Sequence, residues 1–252
     1  MEDVVPISVS FNLAVEKCIA EFGNFDGIMY VDSGCLFENK DILSKLYATH
    51  IFNNNGITAC LPDTDTGAKQ WFDLGEFLGD ESKTEELFHE GIYYKIPLSK
   101  TTNLHAQIFS TKWLNEFGQV LPDLFAGHCM ESIFSYMCAA IKQDFVLTRI
   151  RVGHAAALDG GSSGFSPQGW ENETGRPRWD HPFVVSSVVE RLKENGYYGG
   201  YEECFHIIDH DPTKFDENGY AKDNILLEAL NKNAFLTKEE FDYAQIRGKF
   251  IA

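Results

Sequence analysis

The N-terminal part of the chain alternates between two spacings of apolar side chains. In residues 12–22 and 41–52 the apolar positions recur at the spacing of one helix face. The runs GIMYV at 27–31 and ITACL at 57–61 are short, uninterrupted and apolar, as buried strands are. The order helix, strand, helix, strand predicts a parallel sheet with crossover helices.

Residues 62–92 are polar and predict an excursion over the surface. After them, the helix-like and strand-like spacings of apolar residues resume and continue to residue 152. Gly118 follows a short amphipathic segment and marks a natural helix stop. The predicted strands are 92–98, 105–110 and 144–152, and the predicted helices are 111–118 and 128–143.

Composition changes after residue 165. Residues 166–182 form a polar stretch dotted with aromatic side chains, and helical patterns follow at 183–196, 223–232 and 238–247. We therefore predict an α/β body at 1–165 and a loop with a helical C-terminal appendage at 166–252. The predicted fold class is α/β, with a mixed, mostly parallel sheet flanked by helices.

The composition and net charge of the chain argue against several classes of binding partner. The chain has 252 residues, 44% of them hydrophobic, and a formal net charge of −17. So acidic a surface repels nucleic acid and anionic lipid. The six cysteines include no C-x-x-C pair, which favours reduced thiols over a zinc site. No signal peptide or membrane span is visible, so a cytoplasmic location is expected.

Three residues occupy positions at which α/β proteins commonly carry functional side chains. Asp32 ends the predicted strand at 27–31, Glu131 opens a predicted helix, and His154 follows the strand at 144–152. Open α/β sheets bind ligands at the carboxyl ends of their strands. Carboxylate and imidazole groups, together with diphosphate oxygens, suit a hard divalent cation.

These segments resemble the GT-A-fold glycosyltransferases. The stretch AVEKCIAEFGNFDGIMYVDSGCLF resembles their helix, strand and DxD motif, which holds a divalent metal against a nucleotide-sugar diphosphate. LPDLFAGHCMESIFSYMCAAIKQDFVL resembles the acceptor-side segment, and RVGHAAALDGGSSGF the segment with a late histidine ligand. The likeness covers roughly residues 10–165 and implies a GT-A-like body.

The resemblance implies roles for the residues that match its motifs. Asp32 takes the first DxD position, with Ser33 and Gly34 beside it at the donor, and His154 joins Asp32 as a ligand of Mn²⁺ or Mg²⁺. The implied donor is a nucleotide sugar, such as a uridine diphosphate sugar. The implied acceptor is a carbohydrate hydroxyl.

On the acceptor side, the resemblance implies that Glu131 is the base of an inverting transfer. His128 lies three residues earlier on the same predicted helical face, so we expect it to face the acceptor with Glu131. Retention of configuration stays open. As a simpler alternative, Glu131 complements the dipole of its own helix, and a lone histidine such as His154 is more often structural.

The chain departs from the family pattern in three places. Gly34 stands where a second DxD carboxylate is usual, and Ser132 follows Glu131 where many members have aspartate. Only VVPISVS precedes the first helix, so we expect either the C-terminal part of a longer catalytic unit or a trimmed fold.

Two alternatives remain open. Asp63 and Asp65 form a true D-x-D after an apolar run, although their neighbours favour a surface turn, and Asp-Ser-Gly at 32–34 also fits a plain turn. A second function is therefore a non-catalytic module that binds glycan or completes a site with another polypeptide. A nucleotidyltransferase is a weaker option, because no Gly-rich basic phosphate loop is visible near the start.

Overall fold

The described part of the chain is a mixed α/β fold with a six-stranded sheet. A computed structural model describes residues 7–32, 34–37, 39–62, 93–98, 105–121, 133–154, 194 and 211–230. Its elements are α1 (Ile7–Phe22), β1 (Gly27–Val31), β2 (Cys35–Leu36), α2 (Ile42–Phe52), β3 (Asn55–Pro62), β4 (Tyr93–Lys95), β5 (Ala106–Ser110), α3 (Thr111–Phe117), α4 (Phe134–Ala140), β6 (Asp144–His154), a 3-10 helix (Pro212–Lys214) and α5 (Ile225–Leu230).

Local sequence signals set several of these boundaries as predicted. Strand β1 spans the predicted 27–31. Helix α3 begins after Ser110, whose side chain accepts a hydrogen bond from the Trp113 N–H, a normal N-cap. It ends at Gly118, whose φ of 67° is left-handed and whose N–H donates to the Leu114 carbonyl.

The prediction of a mostly parallel sheet is wrong for the described strands. The strand order is β1-β5-β3-β6-β2, and β4 also pairs with β6. Of these pairings, only β3 with β6 is parallel. Strands β1, β3 and β6 run in one direction, as the helix–strand alternation predicted, but the antiparallel β5 lies between β1 and β3.

The error has a physical reason. Hydrophobic periodicity reveals that a strand exists but not which way it runs. A parallel neighbour needs a crossover connection, whereas an antiparallel one does not. The predicted strands at 92–98 and 105–110 had no predicted helix between them, and both β4 and β5 pair antiparallel with their neighbours.

Helices cover both faces of the sheet. On one face, α2 supplies Ile42 and Leu46 to a small core that includes Ile108 of β5 and Val152 of β6. The other face carries the larger core, formed with α1, α3, α4 and α5. At its centre the rings of Phe109, Trp113, Phe134 and Phe145 meet edge-on or tilted, with centroids 5.4–6.3 Å apart.

Residues 211–230, in the predicted appendage, join the larger core through side chains that include Phe215 and Leu226. The Tyr220 hydroxyl donates to Asp144 Oδ1 at 2.8 Å, and Lys95 Nζ lies 2.6 Å from the same oxygen. The predicted helix at 223–232 is confirmed as α5. Of the excursion predicted at 62–92, only Pro62 is described, and it is the last residue of β3. The boundary near residue 165 and the helix predicted at 238–247 lie outside the described residues.

Within the ranges given above, every helix is too short or too polar to cross a bilayer.

The aromatic core predicts a clear contrast between two phenylalanines. Phe134 is fully buried, whereas Phe52 is 87% exposed. We expect Phe134→Ala to lower the free energy of unfolding by about 3–5 kcal/mol, through lost transfer energy and a cavity. The matched control Phe52→Ala should change it by less than about 0.5 kcal/mol. Urea denaturation followed by fluorescence measures both, and equal effects would contradict the core assignment.

Candidate functional site

The turn after β1 is hydrogen-bonded to His105, the residue that precedes β5. The Asp32 N–H donates to the His105 carbonyl at 2.7 Å and so extends the β1–β5 ladder by one bond. The Cys35 thiol donates to the same carbonyl at 3.0 Å. The His105 carbonyl therefore holds both ends of the turn, because it accepts hydrogen bonds from Asp32 at its start and from Cys35 at its end.

The side chain of Asp32 shapes this turn. Its Oδ1 accepts a hydrogen bond from the Gly34 N–H at 2.8 Å, and its carbonyl accepts one from the Cys35 N–H at 3.0 Å. The first bond is an Asx turn, a common role for aspartate after a strand. Asp32 is half-buried, at the carboxyl end of β1.

Strand β2 joins this turn to the end of β6. Cys35 pairs with His154 and Leu36 with Gly153 in an antiparallel ladder. Directly paired Cα atoms lie about 5 Å apart, and the ends of a tight turn lie within about 7 Å. The Cα atoms of Asp32 and His154 are therefore at most roughly 12 Å apart. The carboxyl ends of β1 and β6 thus meet at one edge of the fold.

The Cys35 thiol keeps its proton in this environment. Burial raises its pKa to about 12, and the negative charge of Asp32 adds to the effect. A thiol must lose its proton to ligate a metal or to attack a substrate. Its proton instead serves the hydrogen bond to His105.

Sequence reasoning missed a cationic pocket beside this edge. A pocket of 520 Å³ lies between α2 and β6, and its lining includes Lys45, Arg149 and Arg151. Arg149 lies in a bulge, because Thr148, Arg149 and Ile150 together oppose the single residue Cys60 of β3. The available signal was TRIRV, two arginines alternating with apolar residues in a strand.

Several predicted site residues fall outside the described residues: Ser33, His128, Glu131, the alternative pair Asp63 and Asp65, and the side chain of His154. Among the side chains that are described, no group of three or more His, Cys, Asp or Glu is arranged to hold a metal ion. The structure thus brings together Asp32, Gly34 and the backbone of His154.

Comparison with known proteins finds no family model, curated protein or solved structure that matches this chain. The resemblance to GT-A-fold glycosyltransferases therefore rests on the sequence motifs.

The Asx turn predicts different effects of two substitutions at Asp32. Asp32→Ala removes the acceptor of the Gly34 N–H bond and should cost about 1 kcal/mol of unfolding free energy. Asp32→Asn retains an acceptor oxygen and should cost less. Urea denaturation of both variants gives the comparison. Equal losses would show that the bond to Gly34 contributes nothing to stability.

The raised pKa of Cys35 predicts slow reaction with thiol reagents. At pH 8 its thiolate is scarce, whereas Cys18 lies exposed on α1. With a disulfide reagent, Cys18→Ser should remove one fast-reacting thiol from the total, and Cys35→Ser should leave the fast total unchanged. Loss of a fast thiol in Cys35→Ser would contradict the protonated, hydrogen-bonded state.

Proposed function

We propose that this protein is a glycosyltransferase that transfers a sugar from a nucleotide-diphosphate donor to a carbohydrate hydroxyl. The observation that carries the proposal is the Cys35–His154 pairing, which joins the Asp32 turn to the end of β6. Two residues that the sequence motifs single out, far apart in the chain, share one edge of the sheet. That edge lies at the carboxyl ends of β1 and β6, where α/β sheets commonly bind ligands.

The distribution of charge supports an anionic donor. The chain carries a net charge of −17, yet Lys45, Arg149 and Arg151 line one pocket between α2 and β6. Arg151 precedes His154 by three residues, a distance of roughly 10 Å along a strand. Arginine is well suited to phosphate oxygens, because its planar guanidinium donates several hydrogen bonds.

Asp32 and His154 are the residues that would hold the divalent cation, Mn²⁺ or Mg²⁺. One carboxylate and one imidazole suit such a cation and leave positions for diphosphate oxygens and water. When bound, the cation would neutralise charge on the leaving diphosphate. Glu131 is the proposed base, which accepts the proton of the acceptor hydroxyl during inversion, and His128 is proposed to contact the acceptor.

A second candidate is a non-catalytic module that binds glycan or completes a site with another polypeptide. One observation favours it: Asp32 Oδ1 accepts from the N–H of Gly34, the residue that replaces the second DxD carboxylate. In that case Asp32 has only its structural role in the turn.

Turnover of nucleotide sugars tests the proposal. With Mn²⁺ and a panel of nucleotide sugars and acceptors, we expect release of nucleoside diphosphate. Glu131→Gln should lower the rate about 100-fold or more, because a general base contributes that much. Asp32→Asn should also lower it while preserving the turn, and His154→Ala should lower it too. Glu21→Gln, an exposed carboxylate on α1, is the control and should leave the rate unchanged.

Thermal unfolding with uridine diphosphate and Mn²⁺ distinguishes the two candidates. A nucleotide site stabilises the folded state by about 2.7 kcal/mol when ligand is present at 100 times Kd. No turnover and no shift in Tm would favour the non-catalytic module. Turnover that persists in all three site variants would instead refute the assignment of Asp32, Glu131 and His154.

A further inference from the structure

A second pocket lies at the opposite end of the sheet from Asp32. It has a volume of 440 Å³, and its lining includes Asp26 before β1, Asn55 at the start of β3, Ser110 at the end of β5 and Gln143 before β6. The amino ends of β1, β3 and β6 and the carboxyl end of the antiparallel β5 meet at this edge. Along β1 the distance from Asp26 to Asp32 is on the order of 20 Å. The residues that line this pocket, which we call the amino-edge pocket, are separate from the site proposed above.

A buried polar network forms the floor of the amino-edge pocket. Asn55 is 2% exposed, and its Nδ2 donates to the Thr49 carbonyl at 3.0 Å and to Thr58 Oγ1 at 3.1 Å. Thr58 Oγ1 lies 2.8 Å from Nδ1 of His50. Buried polar groups that share hydrogen bonds hold their side chains in fixed orientations.

His50 also belongs to this network. Its Nδ1 lies 2.8 Å from Thr58 Oγ1, and which of the two atoms donates depends on which ring nitrogen carries the hydrogen. Burial lowers the pKa of His50 to about 4, so the ring is neutral at physiological pH. His50 therefore brings a neutral imidazole, which has one donor and one acceptor nitrogen, to the pocket lining.

One acceptor atom beneath the lining lacks a hydrogen-bond partner among the described residues. It is the Oδ1 atom of Asn55, which is buried. Folded proteins pair nearly all such atoms with protein, water or ligand.

The charge of the lining selects the ligand class. Among the described residues of the lining, Asp26 is the only formally charged side chain, and its Oδ2 accepts from the Tyr47 hydroxyl at 3.0 Å. Phosphates and carboxylates find no counter-charge in these residues. The lining includes side chains that donate hydrogen bonds and side chains that accept them, and a hydroxyl group does both. Tyr47, 37% exposed, adds an aromatic face of the kind on which sugar rings stack.

We propose that the amino-edge pocket binds a neutral carbohydrate. Binding there requires neither nucleotide nor metal, so it is independent of the transferase proposal. In a transferase, such a site would hold a glycan away from the reacting groups.

Titration of the full chain with neutral monosaccharides and disaccharides, without metal or nucleotide, tests the proposal. We expect saturable binding by calorimetry or saturation-transfer NMR to at least one sugar of the panel. Asp26→Ala and Tyr47→Ala, both on the surface, should each weaken that binding about tenfold, as expected for one lost hydrogen bond to a charged group or one stacking contact.

Two control variants locate the binding at this pocket. Asp41→Ala removes another exposed carboxylate, which does not line this pocket, and should leave sugar binding unchanged. Asp32→Asn should also leave it unchanged, even if it abolishes transfer. Absence of saturable binding across the panel, or binding that both pocket variants retain in full, would overturn the proposal.

Discussion

The backbone pairing of β6 is the constraint on which the described structure depends. This single strand of eleven residues forms the ladder to β3, and successive segments of it pair with β4 and β2. Its first residue, Asp144, also accepts the hydrogen bond from Tyr220, one of the contacts between residues 211–230 and the body. Loss of β6 would therefore remove the described pairing partner of β2 and β4 and one of the two neighbours of β3.

The β3–β6 ladder is irregular at two places, and each irregularity has a consequence. Near its start, Gly56 bulges out of β3, and an added Cβ there would lie 2.9 Å from Cys138 Sγ of α4. Glycine at this position lets the helix approach the sheet closely. Further along, the bulge in β6 is supported by Thr148, whose hydroxyl donates to the Ala59 carbonyl and accepts from the Ile150 N–H. That local support holds Arg149 at the cationic pocket.

Periodicity and capping residues predicted the existence of most elements, because helix faces, N-caps and glycine stops are local properties. Ser110 and Gly118 are examples, since both act within one turn of α3. Strand direction and the two-residue strand β2 were not predictable in this way. Cys35 meets His154 only through a pairing that spans more than a hundred residues, and no local pattern encodes its register. The candidate site likewise has a local part and a non-local part. The motif DSG indicated a turn at Asp32, which is a local feature. The grouping of Lys45 with the two arginines of β6 depends on the bulge in β6 and on how α2 packs, which no local pattern shows.

The structural role of Asp32 and its proposed role as a metal ligand are compatible with each other. A carboxylate has two oxygens, each able to accept more than one hydrogen bond, so the bond from Gly34 to Oδ1 does not exhaust its capacity. Carboxylates that bind metals are themselves commonly oriented by hydrogen bonds from neighbouring groups. A fixed Asx turn reduces the rotamer freedom that Asp32 would lose on binding a cation. The bond that makes Asp32 look like an ordinary turn residue would thus also prepare its carboxylate for a ligand.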